Sequence, residues 1–307
     1  MYLKEGHAGI NLTPEKIQLV EIVSQDNKFI VANVDEEFFS ESVHLDEKET
    51  KLSSILQAAF NELVLRNPLA SANISFTLPP DYFKIIELPY EKSLIKKDLE
   101  EHVRWEFKQL FPYLNIEDVV LQFIQLKRNG FSGGDTMLIA AAIKKHLKYI
   151  YKFCARNNFN LKYVDNSHFA ANSIVRLNTQ LPKDTNGLSI YLMDNILSII
   201  VFQDHHLSFY KEFHYERIDQ IFGKIDGYLI YLNDYGLEKE NIGYAVLSGD
   251  RASESVKQHL EENLSINFSL LNPFESLPLE EKLSESDFVA SDYYSFAASA
   301  GIALRQI

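Results

Sequence analysis

Thiols are almost missing from this chain. Cys154 is the single cysteine in 307 residues, so no intramolecular disulfide can form. That fits a reducing compartment. Long apolar runs are missing too: none approaches the ~18 residues that would span a bilayer. The start, Met1-Tyr2-Leu3-Lys4-Glu5, lacks the apolar core of a signal peptide. Twelve Gly and nine Pro are too few for a long disordered region. Positive charge is also short, with 30 Lys and Arg against 43 Asp and Glu, a net of −13. Phosphate neutralisation needs clustered cations, which argues against non-specific nucleic-acid binding. Tight docking on anionic lipid is disfavoured for the same reason. These absences lead to the expectation of a soluble cytoplasmic protein with no direct membrane insertion.

What is present is a hydrophobic share of 46%, normal for a folded chain with a sizeable core. The length suits two domains, or two lobes sharing one framework. Ala8–Leu12 and Ile17–Ile22 flank the polar Thr13-Pro14-Glu15-Lys16, a hairpin signal. Lys28–Val34 reads as a third strand, and acidic Asp35–Glu49 as a loop and a strand. Leu52, Ile55, Leu56, Ala59, Phe60, Leu63 and Val64 share one helical face over Thr50–Asn67, which Pro68 ends. Strands are expected at Ala72–Leu78, Phe83–Leu88, Val119–Lys127 and Thr136–Ala142, with a Gly-rich turn at Asn129–Asp135. Ser93–Leu110 reads as a helix with Ser93 as N-cap. Helix Lys144–Asn158, strand Asn160–Val164 and helix Ser167–Leu177 follow.

Polar Gln180–Asn186 is the candidate linker between lobes. Beyond it come a meander, Gly187–Met193, Leu197–Gln203 and Leu207–Phe213, and a helix at about Tyr215–Tyr235. Strand Gly243–Leu247, helix Ser253–Asn263, strand Ile266–Leu270 and helix Tyr294–Leu304 complete the chain. Each half therefore starts with a meander and continues with helix–strand alternation, a repeat of topology without a repeat of residue identity.

Several segments, in order, carry a family resemblance. They are the hairpin Gly9–Ile22, the run Ile74–Pro89, and Leu99–Pro112 with Arg104-Trp105-Glu106 and Leu110-Phe111-Pro112. Met137–Lys144 with Tyr151, Leu161–Ala170, Val246–Asp250, Asn272-Pro273-Phe274 and Phe296–Leu304 extend the set. Together they resemble the PilM family, actin-like proteins of type IV pilus assembly. The resemblance implies a two-lobed actin-like (ribonuclease H-like) α/β fold. Residues 1–180 would form the first lobe, with a subdomain inserted at about 73–136, and 187–307 a reduced second lobe.

The departures from the family fall on its nucleotide loops. Asn11 and Thr13 stand for an Asp and a Gly, Pro14 removes a backbone donor, and Gln18 stands where a Lys is common. Tyr191 and Met193 align with the second loop's Asp and Gly. Losing that Asp removes an oxygen for Mg²⁺ or its waters, and losing that Gly blocks close backbone approach to phosphate. Ser248-Gly249-Asp250 keeps one glycine of a Gly-rich turn, and Asp250 adds negative charge. The connection after Phe213 is short, as if a subdomain over the nucleotide were missing. No cofactor is expected, and the implied role is a non-catalytic scaffold. An active ATPase or kinase of the same fold, and a free-standing adaptor of another pathway, are the alternatives.

In PilM-like proteins the inserted subdomain and first lobe hold a short tail of PilN, an inner-membrane protein. The resemblance therefore implies such a partner, with other pilus-machinery proteins or a second copy as further candidates. It also implies a cytoplasmic location, peripheral to the inner membrane through the partner. Candidate wall residues are Ile85, Leu88, Trp105, Phe107 and Phe111. The competing reading of the Glu100–Glu106 helix is an amphipathic surface helix with Trp105 in the core. Asp165 reads as a turn residue or helix N-cap rather than a metal-orienting group. Asp204-His205-His206 reads as a solvated turn rather than a metal fragment, and Cys154 as a packed thiol.

Overall fold

The computed structural model describes residues 6–25, 28–126, 135–178, 185–203 and 206–306. Most of the Gly-rich turn (129–134), the linker residues 180–184 and Asp204-His205 lie outside them.

The first lobe opens with strands β1 (Gly6–Leu12), β2 (Lys16–Gln25) and β3 (Lys28–Phe38), then helix α1 (Glu49–Arg66) and strand β4 (Asn73–Leu78). The expected third strand runs further than Val34, and no separate strand follows in 39–48. The segment instead packs on the first hairpin, where Phe39 N donates to Glu15 O and Val43 N to Pro14 O, both at 2.8 Å.

The chain then leaves for the insert: β5 (Phe83–Pro89), α2 (Lys96–Leu110), β6 (Val119–Leu126) and β7 (Thr136–Ile143). These strands form an antiparallel sheet in the order β5-β7-β6. The insert thus starts and ends later than the 73–136 expected. The reason is pairing: β4 lies between β1 and β8 in the first lobe, and β7 is the central strand of the insert. Ser93 does not cap α2, which begins at Lys96; the Ser93 hydroxyl donates to Glu91 instead.

Helix α3 (Lys144–Arg156), strand β8 (Asn160–Asn166) and helix α4 (Ser167–Asn178) return the chain to the first lobe. Its sheet reads β3-β2-β1-β4-β8, with the meander antiparallel and β1, β4 and β8 parallel. The second lobe repeats this with β9 (Asn186–Leu192), β10 (Ile196–Gln203), β11 (His206–His214), α5 (Gln220–Asn233), β12 (Ile242–Ser248), α6 (Glu254–Leu264) and β13 (Phe268–Leu270). Its order, β11-β10-β9-β12-β13, has the same pattern of directions. Helix α5 starts later than Tyr215 because that residue serves the preceding turn. Its N–H donates to Asn195 O and its hydroxyl to Met193 O.

Helices α7 (Asp287–Ala290) and α8 (Ala297–Ala303) end the chain. All seven residues of α8 are buried. One apolar cluster joins Val20 and Ile22 of the first sheet, Ala171 and Ile174 of α4, the α8 alanines, and Tyr191 and Val246 of the second sheet. The small α8 side chains let two backbones approach: a Cβ on Gly9 would collide with Ser299 O, and one on Gly301 with Ala170 O. The lobes therefore share a core across α4 and α8.

Candidate functional site

Three turns converge where the lobes meet. The first, Thr13–Lys16, has every N–H accounted for. Thr13 N donates to Lys16 O at 3.0 Å and Pro14 has none. Glu15 N and Lys16 N donate to Thr13 Oγ1 at 3.3 and 3.1 Å. Thr13 thus turns the loop's donors inward. The space beside this turn, next to Pro79 and Tyr82, is about 10 Å³, room for one water at most.

Asn11 is buried behind the turn. Its Nδ2 donates to Gln18 Oε1 at 2.9 Å, and its Oδ1 accepts from Thr77 Oγ1 at 2.8 Å and Ser167 Oγ at 3.1 Å. From the other lobe, the fully buried Tyr191 ring stacks on His168, centroids 5.5 Å apart. Its hydroxyl faces Asn11 and Ser167 without a well-formed hydrogen bond, and burial pushes its pKa far up. Met193, at the second turn, has its N–H bonded to Ile196 O (2.9 Å) and its carbonyl to Tyr215.

The third turn closes on the second. Gly249 has φ +101°, and a Cβ there would collide with Leu192 O. Its N–H donates to Tyr294 O at 3.1 Å, and Arg251 N donates to Leu192 O at 3.2 Å. Arg251 also pairs with Asp194. Asp250 meets Lys16 across the lobes, Oδ1 to Nζ 3.3 Å, and Lys16 lies 2.9 Å from Glu36 Oε2. Burial opposes charge on Lys16, but the Asp250 and Glu36 carboxylates outweigh it and raise its pKa. Burial likewise pushes the Asp250 carboxyl up, with Lys16 pulling back only in part.

A second feature is open. A groove of about 980 Å³ lies between insert and first lobe, with the second lobe as its third wall. Two edge strands border it, β6 along Gln122–Ile124 and β8 along Leu161–Asp165. An edge strand offers main-chain donors and acceptors to an extended segment. Ile124, Tyr151 and Tyr163 are exposed large apolar side chains on its walls. Phe169, Phe202 and Leu207 also line it. Asn172, 8% exposed, donates to His168 O at 2.9 Å while its Oδ1 is buried without a partner. Lys148 and Lys162 lie on the wall, and Arg305 pairs with Asp165.

Asp165 is therefore an ion-pair residue, and the cap of α4 is Asn166, whose Oδ1 accepts from His168 N at 2.9 Å. Of the five proposed wall residues, none lines this groove. Phe107 (1% exposed) and Leu88 are core residues of the insert, because α2 turns its apolar stripe onto its own sheet. Ile85 packs against Leu138 and Ile200 where insert and second lobe touch. Ile85, Leu88 and Phe111 border another depression, on the β5 side. Trp105 is not in the core: it is 58% exposed, beside His102. Tyr151 had a sequence signal, an aromatic on the lysine-rich face of α3. Tyr163 lay within the Leu161–Ala170 segment of the resemblance with no site reading attached, and Asn172 had no signal. Cys154 is buried in the first-lobe core, and burial pushes its thiol up to about 12. Among the described residues no group of three or more His, Cys, Asp or Glu could hold a metal, and no helix is long and apolar enough to cross a membrane.

The sequence model described as type IV pilus assembly protein PilM matches residues 9–224. No curated protein matches the chain. Among solved structures it is similar to a PilM-PilN type IV pilus biogenesis complex, TM-score 0.78 at 17% identity over 97% of this chain and 98% of that one. It is also similar to a Bacteroides thetaiotaomicron protein of actin-like ATPase fold and unknown function (TM-score 0.56, 12% identity, 87% and 91% covered). Ethanolamine utilization protein EutJ from Carboxydothermus hydrogenoformans matches at TM-score 0.50 and 10% identity, with 97% and 88% covered. At these identities the likeness establishes the fold, two-lobed and actin-like.

Proposed function

The chain belongs to the PilM family of type IV pilus assembly proteins, and on that premise we propose that it is a non-catalytic scaffold of a pilus or related secretion machine. It docks the cytoplasmic tail of a PilN-like inner-membrane protein, and so lies at the membrane's cytoplasmic face through that partner. One observation carries the non-catalytic part: the first turn's donors bond to Thr13 and Lys16 rather than facing the cleft. Phosphate loops work by aiming such N–H groups at the anion.

The groove between insert and first lobe is the tail's seat. An extended tail would pair with an edge strand, set apolar side chains against Phe169 and Phe202, and give an N–H to Asn172 Oδ1. Calorimetric titration with a synthetic tail peptide of the PilN-like partner tests this. Binding in the wild type should weaken about 30-fold on Ile124→Asp or Tyr163→Ala, the scale of a central contact. Equal affinity in wild type and both variants would remove the groove from the account.

A further inference from the structure

Two polar crossings join the lobes at the converging turns. Lys16 from the first lobe reaches Asp250 of the second, and Glu36, which faces Gln18 from the adjacent strand β3, holds it from behind. The side chains of Lys16, Glu36 and Asp250 are only 13%, 15% and 18% exposed. Gln18 makes the other crossing: Nε2 donates to Glu36 Oε2 at 3.1 Å and to Ser295 Oγ at 3.2 Å. The position of Asp250 is set by its neighbour, since the Gly249 backbone rests on the Leu192 carbonyl in a conformation that favours glycine.

We propose that Asp250 acts as an internal counter-anion for Lys16, latching the two lobes shut without a nucleotide. A carboxylate fixed by the chain does the work a bound phosphate would do, so closure is permanent rather than ligand-driven. A buried charge pair need not add net stability, but removing one partner leaves the other buried and unpaired.

The latch bears on the partner groove. The second lobe supplies Ile200, Phe202 and Leu207 to one wall, while β6 and β8 supply the others. Lobe placement therefore sets the groove's width, and a latched chain presents it preformed. This half of the inference rests on the tail-binding reading; the latch itself does not.

Hydrogen exchange of the full-length chain tests the latch, with Asp250→Asn, Lys16→Met and the double variant. Each single change should speed exchange of the amides in 13–16 and 249–252 about tenfold, the signature of local opening. The double variant should be no worse than the singles, because both remove one interaction. In the double variant Glu36 keeps its bond from Gln18, so it serves if a single variant fails to fold. Wild-type exchange in both turns of every folded variant overturns the latch. Tail affinity should fall about fivefold in the same variants. Opening with unchanged affinity overturns the link to the groove and keeps the latch. A wild-type chain that binds no tail defeats the docking reading, and exchange still judges the latch.

Discussion

His168 is a buried histidine that works without a charge. Its Nδ1 lies 2.7 Å from Ser198 Oγ and its Nε2 3.1 Å from Ser189 Oγ, tying α4 to the second sheet. A neutral imidazole offers one donor and one acceptor, and two hydroxyls satisfy both. Burial lowers its pKa to about 3. Above the unfolded value of about 6.5 the group is neutral in both states and does not affect stability. As pH falls below that value, the unfolded chain takes up a proton that the folded chain refuses. Stability attributable to this residue then drops by about 1.4 kcal/mol per pH unit until about pH 3. Urea unfolding of wild type and His168→Gln at pH 7, 6, 5 and 4 should show a steeper acid loss in the wild type. Parallel curves would mean that the imidazole is charged in the fold.

Elements show why similar glycines have different reasons. Gly9 sits in a strand read from sequence as part of a phosphate hairpin, yet what it serves is α8, whose backbone lies against it. Gly223 and Gly227 sit in the interior of α5 with nothing near a would-be Cβ. Gly223→Ala and Gly227→Ala should each stabilise by about 0.5–1 kcal/mol, from helix propensity and unfolded-state entropy. Gly9→Ala should destabilise by about 2 kcal/mol or more, on the scale of overpacking a core. Denaturation midpoints of the three variants check both signs. Most strands and helices were legible because their apolar periods are local, as in α1. What escaped were features decided far away in sequence. Tyr215 left the helix to close a turn, β4 went to the first sheet, and Phe107 turned inward onto the insert's own strands.

At the scale of the molecule, the two sheets with identical strand order were legible as a repeated meander and crossover pattern. The turn positions Asn11, Thr13, Tyr191, Met193, Gly249 and Asp250 were also legible, as departures from a resemblance. Their occupants were not. Lys16 and Asp250 meet only through the fold, and no local pattern marks Lys16 as a partner across the cleft. The resemblance implied a partner seat between insert and first lobe; the walls of the groove found there depend on how α3, β8 and the insert pack. In the proposed function the chain's own side chains occupy the space between the three converging turns, where a nucleotide would sit. Isothermal titration of the 307-residue chain with Mg·ATP tests this. No saturable heat is expected at millimolar nucleotide; saturable, Mg²⁺-dependent binding at one site per chain would overturn the non-catalytic reading.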